Sequence, residues 1–151
     1  KAYGADALIG AGTVLTSQEV TQVKQAGGRL VVSPNCDVEV ISAAVAAGLQ
    51  SWPGIFTPSE ALIALKAGAT GLKLFPGDMA QPRGLKAMRA ILPADTQVYA
   101  VGGAQPDNFS DWIAASADGF GLGSAIYKPG DTPQIVQQKA RAIVAAFDAA
   151  W

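Results

Sequence analysis

The chain contains no histidine and a single cysteine, Cys36, among its 151 residues. One thiol cannot close an internal disulfide, and without imidazole a zinc site is not expected. Charge is scarce too: 15% of residues are ionic, and 11 basic against 12 acidic side chains leave a formal net charge of −1. With no long run of either sign, the chain lacks the electrostatic footprint of a nucleic-acid or anionic-membrane binder. No apolar run approaches the ~20 residues of a membrane-spanning helix, and the N-terminus carries no signal-like pattern. Half of the residues are hydrophobic, which excludes a disordered tail and supplies a sizeable core. The expectation is a cytoplasmic protein acting on small molecules, folded as one domain over residues 1–151. The first residue is Lys1 rather than Met, so a longer protein with further chain before this point is also expected.

Ala-Gly pairs recur about every 20 residues, at Ala26-Gly27, Ala47-Gly48 and Ala67-Gly68, each just before a short apolar run. That interval holds one helix, one strand and two loops, with glycine as the residue that ends each helix at positive φ. Thr16-Ser17-Gln18-Glu19 and Thr57-Pro58-Ser59-Glu60 match the capping box, Pro58 suits the first helical position, and Asp37 is expected to cap a helix carrying Val38, Ile41 and Val45. Later helices are marked by Leu85, Met88 and Leu92, then by Phe109, Trp112 and Ile113. A last one runs to the C-terminus with Val136, Ala140, Ile143 and Phe147 on one face. Strands are expected at Ala7–Val14, Leu30–Pro34, Leu49–Gly54, Gly71–Phe75, Gln97–Gly102 and Gly119–Gly123. Six βα units in succession imply a parallel sheet covered by helices. Length favours an open doubly wound sheet, since a closed (β/α)8 barrel commonly takes ~250 residues. The motifs below favour the barrel.

Of the seven lysines, Lys73 alone falls inside an expected strand, in Gly71-Leu72-Lys73-Leu74-Phe75-Pro76. Alternation puts Leu72 and Leu74 on one face and Lys73 and Phe75 on the other. Lys73 is either a strand-end lysine with its head in solvent or an amine whose pKa burial lowers until it can attack a carbonyl. Gly102-Gly103 and Gly121-Leu122-Gly123-Ser124 end the last two strands. They are either tight-turn glycines or backbone cradles for an anion, assisted by a following helix start. Thr13 ends the first strand, where its hydroxyl can bond a carboxylate or the backbone. Pro34 stiffens the loop after the second strand. Phe75 is either a pocket wall or core filling. The only glutamates, Glu19, Glu39 and Glu60, fall in first helical turns, where capping and the helix dipole account for them. Asp78 is the nearest carboxylate that could serve as a base.

Gly10-Ala11-Gly12-Thr13-Val14, Ser33-Pro34-Asn35, Pro53-Gly54, Thr57-Pro58-Ser59-Glu60, Leu72-Lys73-Leu74-Phe75-Pro76, Gly102-Gly103 and Gly123-Ser124 stand in the order and spacing of one family. The chain resembles the 2-keto-3-deoxy-6-phosphogluconate and 6-phosphogalactonate aldolases, class I pyruvate aldolases on a (β/α)8 TIM barrel. The resemblance implies that Lys73 forms an imine with the substrate's keto carbon, that Thr13 holds the carboxylate, and that Pro34 and Phe75 line the pocket. Gly102, Gly103, Gly123 and Ser124 would bind the terminal phosphate. The products would be pyruvate and glyceraldehyde 3-phosphate, with no metal or organic cofactor, from a homotrimer. Val101 stands where gluconate-type relatives tend to carry Thr, which leans toward 2-dehydro-3-deoxy-6-phosphogalactonate. Relatives begin with two further βα units that supply a catalytic Glu, so about six of eight units are expected here. Other readings are the 6-phosphogluconate epimer as substrate, another phosphate-binding barrel such as a thiamine-phosphate-synthase-like enzyme, or a non-catalytic barrel fragment.

Overall fold

A computed structural model describes residues 6–151. Strands and helices alternate: β1 (Gly10–Gly12), α1 (Ser17–Gln25), β2 (Leu30–Val32), α2 (Val38–Ala46), β3 (Gln50–Trp52), β4 (Gly54–Ile55), α3 (Pro58–Lys66), β5 (Leu72–Leu74), α4 (Gly77–Arg89), β6 (Val98–Val101), α5 (Phe109–Ala114), β7 (Gly119–Gly121) and α6 (Pro133–Ala150). The chain divides into two compact units, residues 1–73 with 94–97 and residues 74–93 with 98–151.

In the first unit β1, β2 and β3 form a parallel sheet in that order. Gly12 pairs with Val32 and Val32 with Trp52, so the ladder stops level across the three strands. The helices that return the chain start where the caps demand. Thr16 and Thr57 each accept from the backbone N–H of the glutamate at N3, and Glu19 and Glu60 bond back to complete both boxes. Asp37 accepts from Glu39 and Val40. Each helix then ends two residues before a glycine at positive φ, Gly27 (84°), Gly48 (67°) or Gly68 (94°). Val14, Val20, Val31, Val40, Ala44 and Leu49 bury the helix-covered face of this sheet.

The second unit contains α4, β6, α5, β7 and α6, with β6 and β7 parallel. Phe109 is fully buried and stacks on Phe120 at 4.3 Å, while Phe147 of α6 meets both rings edge-on. The face of α6 carrying Val136, Ala140, Ile143 and Phe147 is its half-buried face, as its spacing predicts. Asp118 accepts from Val98 N–H at 2.7 Å and pairs with Arg89, tying the start of β6 to the turn before β7.

Several expected bounds change. Strands are shorter than the apolar runs, because only Gly10–Gly12 of Ala7–Val14 and Gly119–Gly121 of Gly119–Gly123 find ladder partners. The run Leu49–Gly54 becomes two strands around Pro53, which has no N–H for a ladder. Leu92 lies beyond α4, whose course breaks at Gln81 (φ 57°, ψ 167°) just before Pro82. No helix among the described residues is long and apolar enough to cross a membrane.

Candidate active site

Lys73 sits mid-strand in β5 between the fully buried Leu72 and Leu74, and is itself half-buried. Its N–H donates to Pro53 at 2.9 Å, so the first unit holds its backbone in place. Burial holds the ammonium pKa below the ordinary lysine value. Desolvation favours the uncharged amine, and that form is the nucleophile.

Thr13, Ser33 and Pro53 are the residues immediately after the last paired positions of β1, β2 and β3. Thr13 is exposed and has φ 58°, a left-handed conformation that is an outlier for a β-branched residue. Its neighbours hold it there: Val14 N–H donates to Val32, and the buried Ser33 hydroxyl donates to Val14 at 2.7 Å. Strain of this kind clusters at ligand sites. Pro34 is half-buried and directly follows Ser33.

In the second unit, Phe75 is half-buried just after β5, and its peptide bond to Pro76 is cis. Val101 ends β6, and Gly102 (φ 92°) and Gly103 (φ 74°) turn the chain away. A Cβ on Gly103 would stand 2.8 Å from Cβ of Asp78 and 3.1 Å from its Cα, so no larger residue fits without displacing the start of α4. Asn108 staples this loop: its side chain donates to Gly103 at 2.8 Å and accepts from Gln105 N–H at 3.0 Å. Sequence reasoning missed Asn108, although an Asn just before a helical segment in Gln105-Pro106-Asp107-Asn108 is a turn signal. Val101 crosses β7 at Gly121, where a Cβ would stand 2.6 Å from its Cγ2.

Gly123 and Ser124 are exposed. The carbonyl of Gly123 accepts from Ile126 and Tyr127, closing one helical turn. The helix starts that follow the two glycine pairs lie several residues further along the chain. Only this turn follows Gly123-Ser124, with α6 beginning at Pro133, and α5 begins only at Phe109. Pro129 and Gly130 separate the turn from α6, and the Asn108-stapled loop intervenes before α5, so any anion binding here rests on loop amides rather than a helix dipole.

Two glutamates are engaged in caps. Glu19 accepts from Leu15 and Thr16, and Glu60 from Phe56, Thr57 N–H and the Thr57 hydroxyl. Among the described residues no three His, Cys, Asp or Glu side chains gather as a metal site.

The family model for KDPG and KHG aldolases matches residues 2–142. The chain belongs to the KDPG and KHG aldolase family. It is 50% identical over 147 residues to a Rhizobium meliloti protein named "Probable 2-dehydro-3-deoxy-6-phosphogalactonate aldolase", covering 97% of this chain and 69% of that one. A solved native KDPGal structure superposes with a TM-score of 0.96 at 46% identity, covering 99% of this chain and 72% of that chain. KDPG aldolase from Legionella pneumophila, solved with pyruvate captured as a covalent carbinolamine, superposes at 0.76 with 28% identity, covering 96% of this aldolase-family chain and 69% of that chain. The architecture is that of these partial-length barrel matches, parallel strands alternating with helices, rather than an open doubly wound sheet.

Proposed function

We propose that this protein is a class I aldolase that cleaves 2-dehydro-3-deoxy-6-phosphogalactonate to pyruvate and glyceraldehyde 3-phosphate. The observation that carries the reading is Lys73, a half-buried amine inside a strand with its pKa lowered by desolvation. The covalent pyruvate carbinolamine in the Legionella relative supports the same chemistry in this family.

On this reading the neutral Lys73 Nζ adds to the C2 carbonyl, and loss of water from the carbinolamine leaves an iminium. The C4 hydroxyl loses its proton to a base, the C3–C4 bond breaks, and its electron pair flows into the iminium to give an enamine and glyceraldehyde 3-phosphate. Protonation at C3 and hydrolysis release pyruvate and regenerate the amine. Thr13 holds the carboxylate, Pro34 and Phe75 line the pocket, Val101 bears on the C4 substituent, and Gly102, Gly103, Gly123 and Ser124 receive the phosphate through loop amides. With Glu19 and Glu60 committed to capping, the base is not assigned to either. The same reading makes the protein part of a single barrel domain in a cytoplasmic homotrimer, which sedimentation equilibrium checks.

Pyruvate release from each C4 epimer, followed by coupled reduction to lactate, tests the proposal. The galactonate epimer is expected to be cleaved, and Lys73→Ala is expected to abolish release. Cleavage that survives Lys73→Ala, or none with either epimer, contradicts it.

A further inference from the structure

Asp78 stands in the first turn of α4, where a helix dipole alone would account for an acidic residue. Its surroundings ask for more. A Cβ on Gly102 would stand 3.3 Å from the backbone N of Gly77 and 3.8 Å from both Asp78 Oδ1 and the Phe75 ring. The backbone of Asp78 also blocks the corresponding space beside Gly103. The bare backbone of the glycine pair therefore lies beside an apolar ring and a carboxylate. Among the described residues no hydrogen bond or ion pair engages that carboxylate, and Asp78 is exposed.

We infer that Asp78 is a specificity-determining residue that accepts a hydrogen bond from the hydroxyl next to the phosphate of the substrate, the C5 hydroxyl of the sugar acid. The inference rests on the aldolase reading above. An ionised carboxylate only accepts hydrogen bonds, so it cannot receive phosphate oxygens and is repelled by them. If the glycine loops take the phosphate, the next donor along the ligand is that hydroxyl. Val101, on the strand that leads into the glycine pair, offers no hydrogen bond. A carboxylate there favours ligands that carry the hydroxyl over ligands that lack it.

The test is the reverse reaction of the full protein with pyruvate and either glyceraldehyde 3-phosphate or 3-oxopropyl phosphate, which lacks the hydroxyl. Asp78→Ala is expected to lower kcat/KM for glyceraldehyde 3-phosphate by roughly 10- to 100-fold, the range for losing a hydrogen bond to a charged group. It is expected to leave the deoxy acceptor unchanged and borohydride trapping of pyruvate intact. Equal losses with both acceptors show a structural role or that of the base, and a gain with both shows simple repulsion of phosphate. Either result overturns the inference, as does no change. Failure of the wild-type protein to trap pyruvate overturns instead the aldolase reading on which the inference stands.

Discussion

Ser33 donates its buried hydroxyl to the carbonyl of Val14 at 2.7 Å, and the residue just before Val14 is Thr13 with φ 58°. The bond clamps the end of β1 to the end of β2, and so holds a threonine in a conformation it rarely adopts. Thr13→Gly is expected to raise stability by about 1 kcal/mol, since a β-branched residue in the left-handed region costs roughly 1–2 kcal/mol. The same change is expected to weaken pyruvate binding, because the hydroxyl assigned to the carboxylate is gone. Ser33→Ala is expected to cost about 1–3 kcal/mol by leaving a buried carbonyl without its donor. Urea unfolding together with KM for pyruvate in the condensation direction checks both.

The second capping box gives a prediction about stability alone. Thr57→Ala is expected to cost about 1 kcal/mol, measurable by thermal or urea unfolding with little change in kcat/KM. The hydrogen bond from Phe56 N–H, then those from the Thr57 hydroxyl and N–H, hold the Glu60 pKa below the ordinary glutamate value against the opposing effect of burial. A carboxylate lowered in this way contributes stability that is complete above ~4.3 and is lost as pH falls through the folded value. Unfolding of Glu60→Gln is therefore expected to show a smaller acid dependence than that of the parent.

The boxes at Thr16 and Thr57, the cap at Asp37 and the helix-ending glycines 27, 48 and 68 were legible because each signal is local and has one physical meaning. The lysine in β5 was legible for the same reason: a charge inside an apolar strand run has few explanations. Strand ends were not, since pairing depends on the neighbouring strand, and the apolar run through Pro53 hides the missing N–H. The left-handed position falls on Thr13 rather than on the neighbouring Gly12, so residue type does not announce it. The contact between Asp78 and Gly103 joins residues separated by a strand and most of a helix, and only the folded chain shows it.

The glycine loops can be tested with two substitutions that differ in their structural consequence. A Cβ on Gly123 meets nothing within 4 Å, whereas one on Gly103 collides with Asp78. Gly123→Ala is expected to fold like the parent and raise KM for the phosphorylated substrate. Gly103→Ala is expected to lose stability by about 1–3 kcal/mol as well. Circular-dichroism melting and steady-state kinetics separate the two. An unaltered KM in Gly123→Ala removes that loop from the phosphate site.

Val101→Thr conserves shape and adds a hydroxyl at the end of β6. The expected outcome is a shift of the kcat/KM ratio toward the 6-phosphogluconate epimer, on the order of tenfold, the discrimination one hydrogen bond supports. Rates of pyruvate release from the two epimers, measured side by side, check it. An unchanged ratio places the epimer choice elsewhere.

The amine of Lys73 carries the whole account. Burial lowers its pKa, so the folded chain holds its proton less tightly than the unfolded one. Stability is therefore reduced below the folded pKa and recovers as pH rises from that value toward ~10.4. The shift favours the neutral amine, the form that adds to a carbonyl. The decisive measurement is borohydride reduction in the presence of pyruvate over a pH series, read by peptide mass spectrometry. A single pyruvate adduct on Lys73 is expected, absent in Lys73→Ala, with formation reaching its plateau below the pH at which an ordinary lysine titrates. An adduct on another lysine, or none at any pH, contradicts the account.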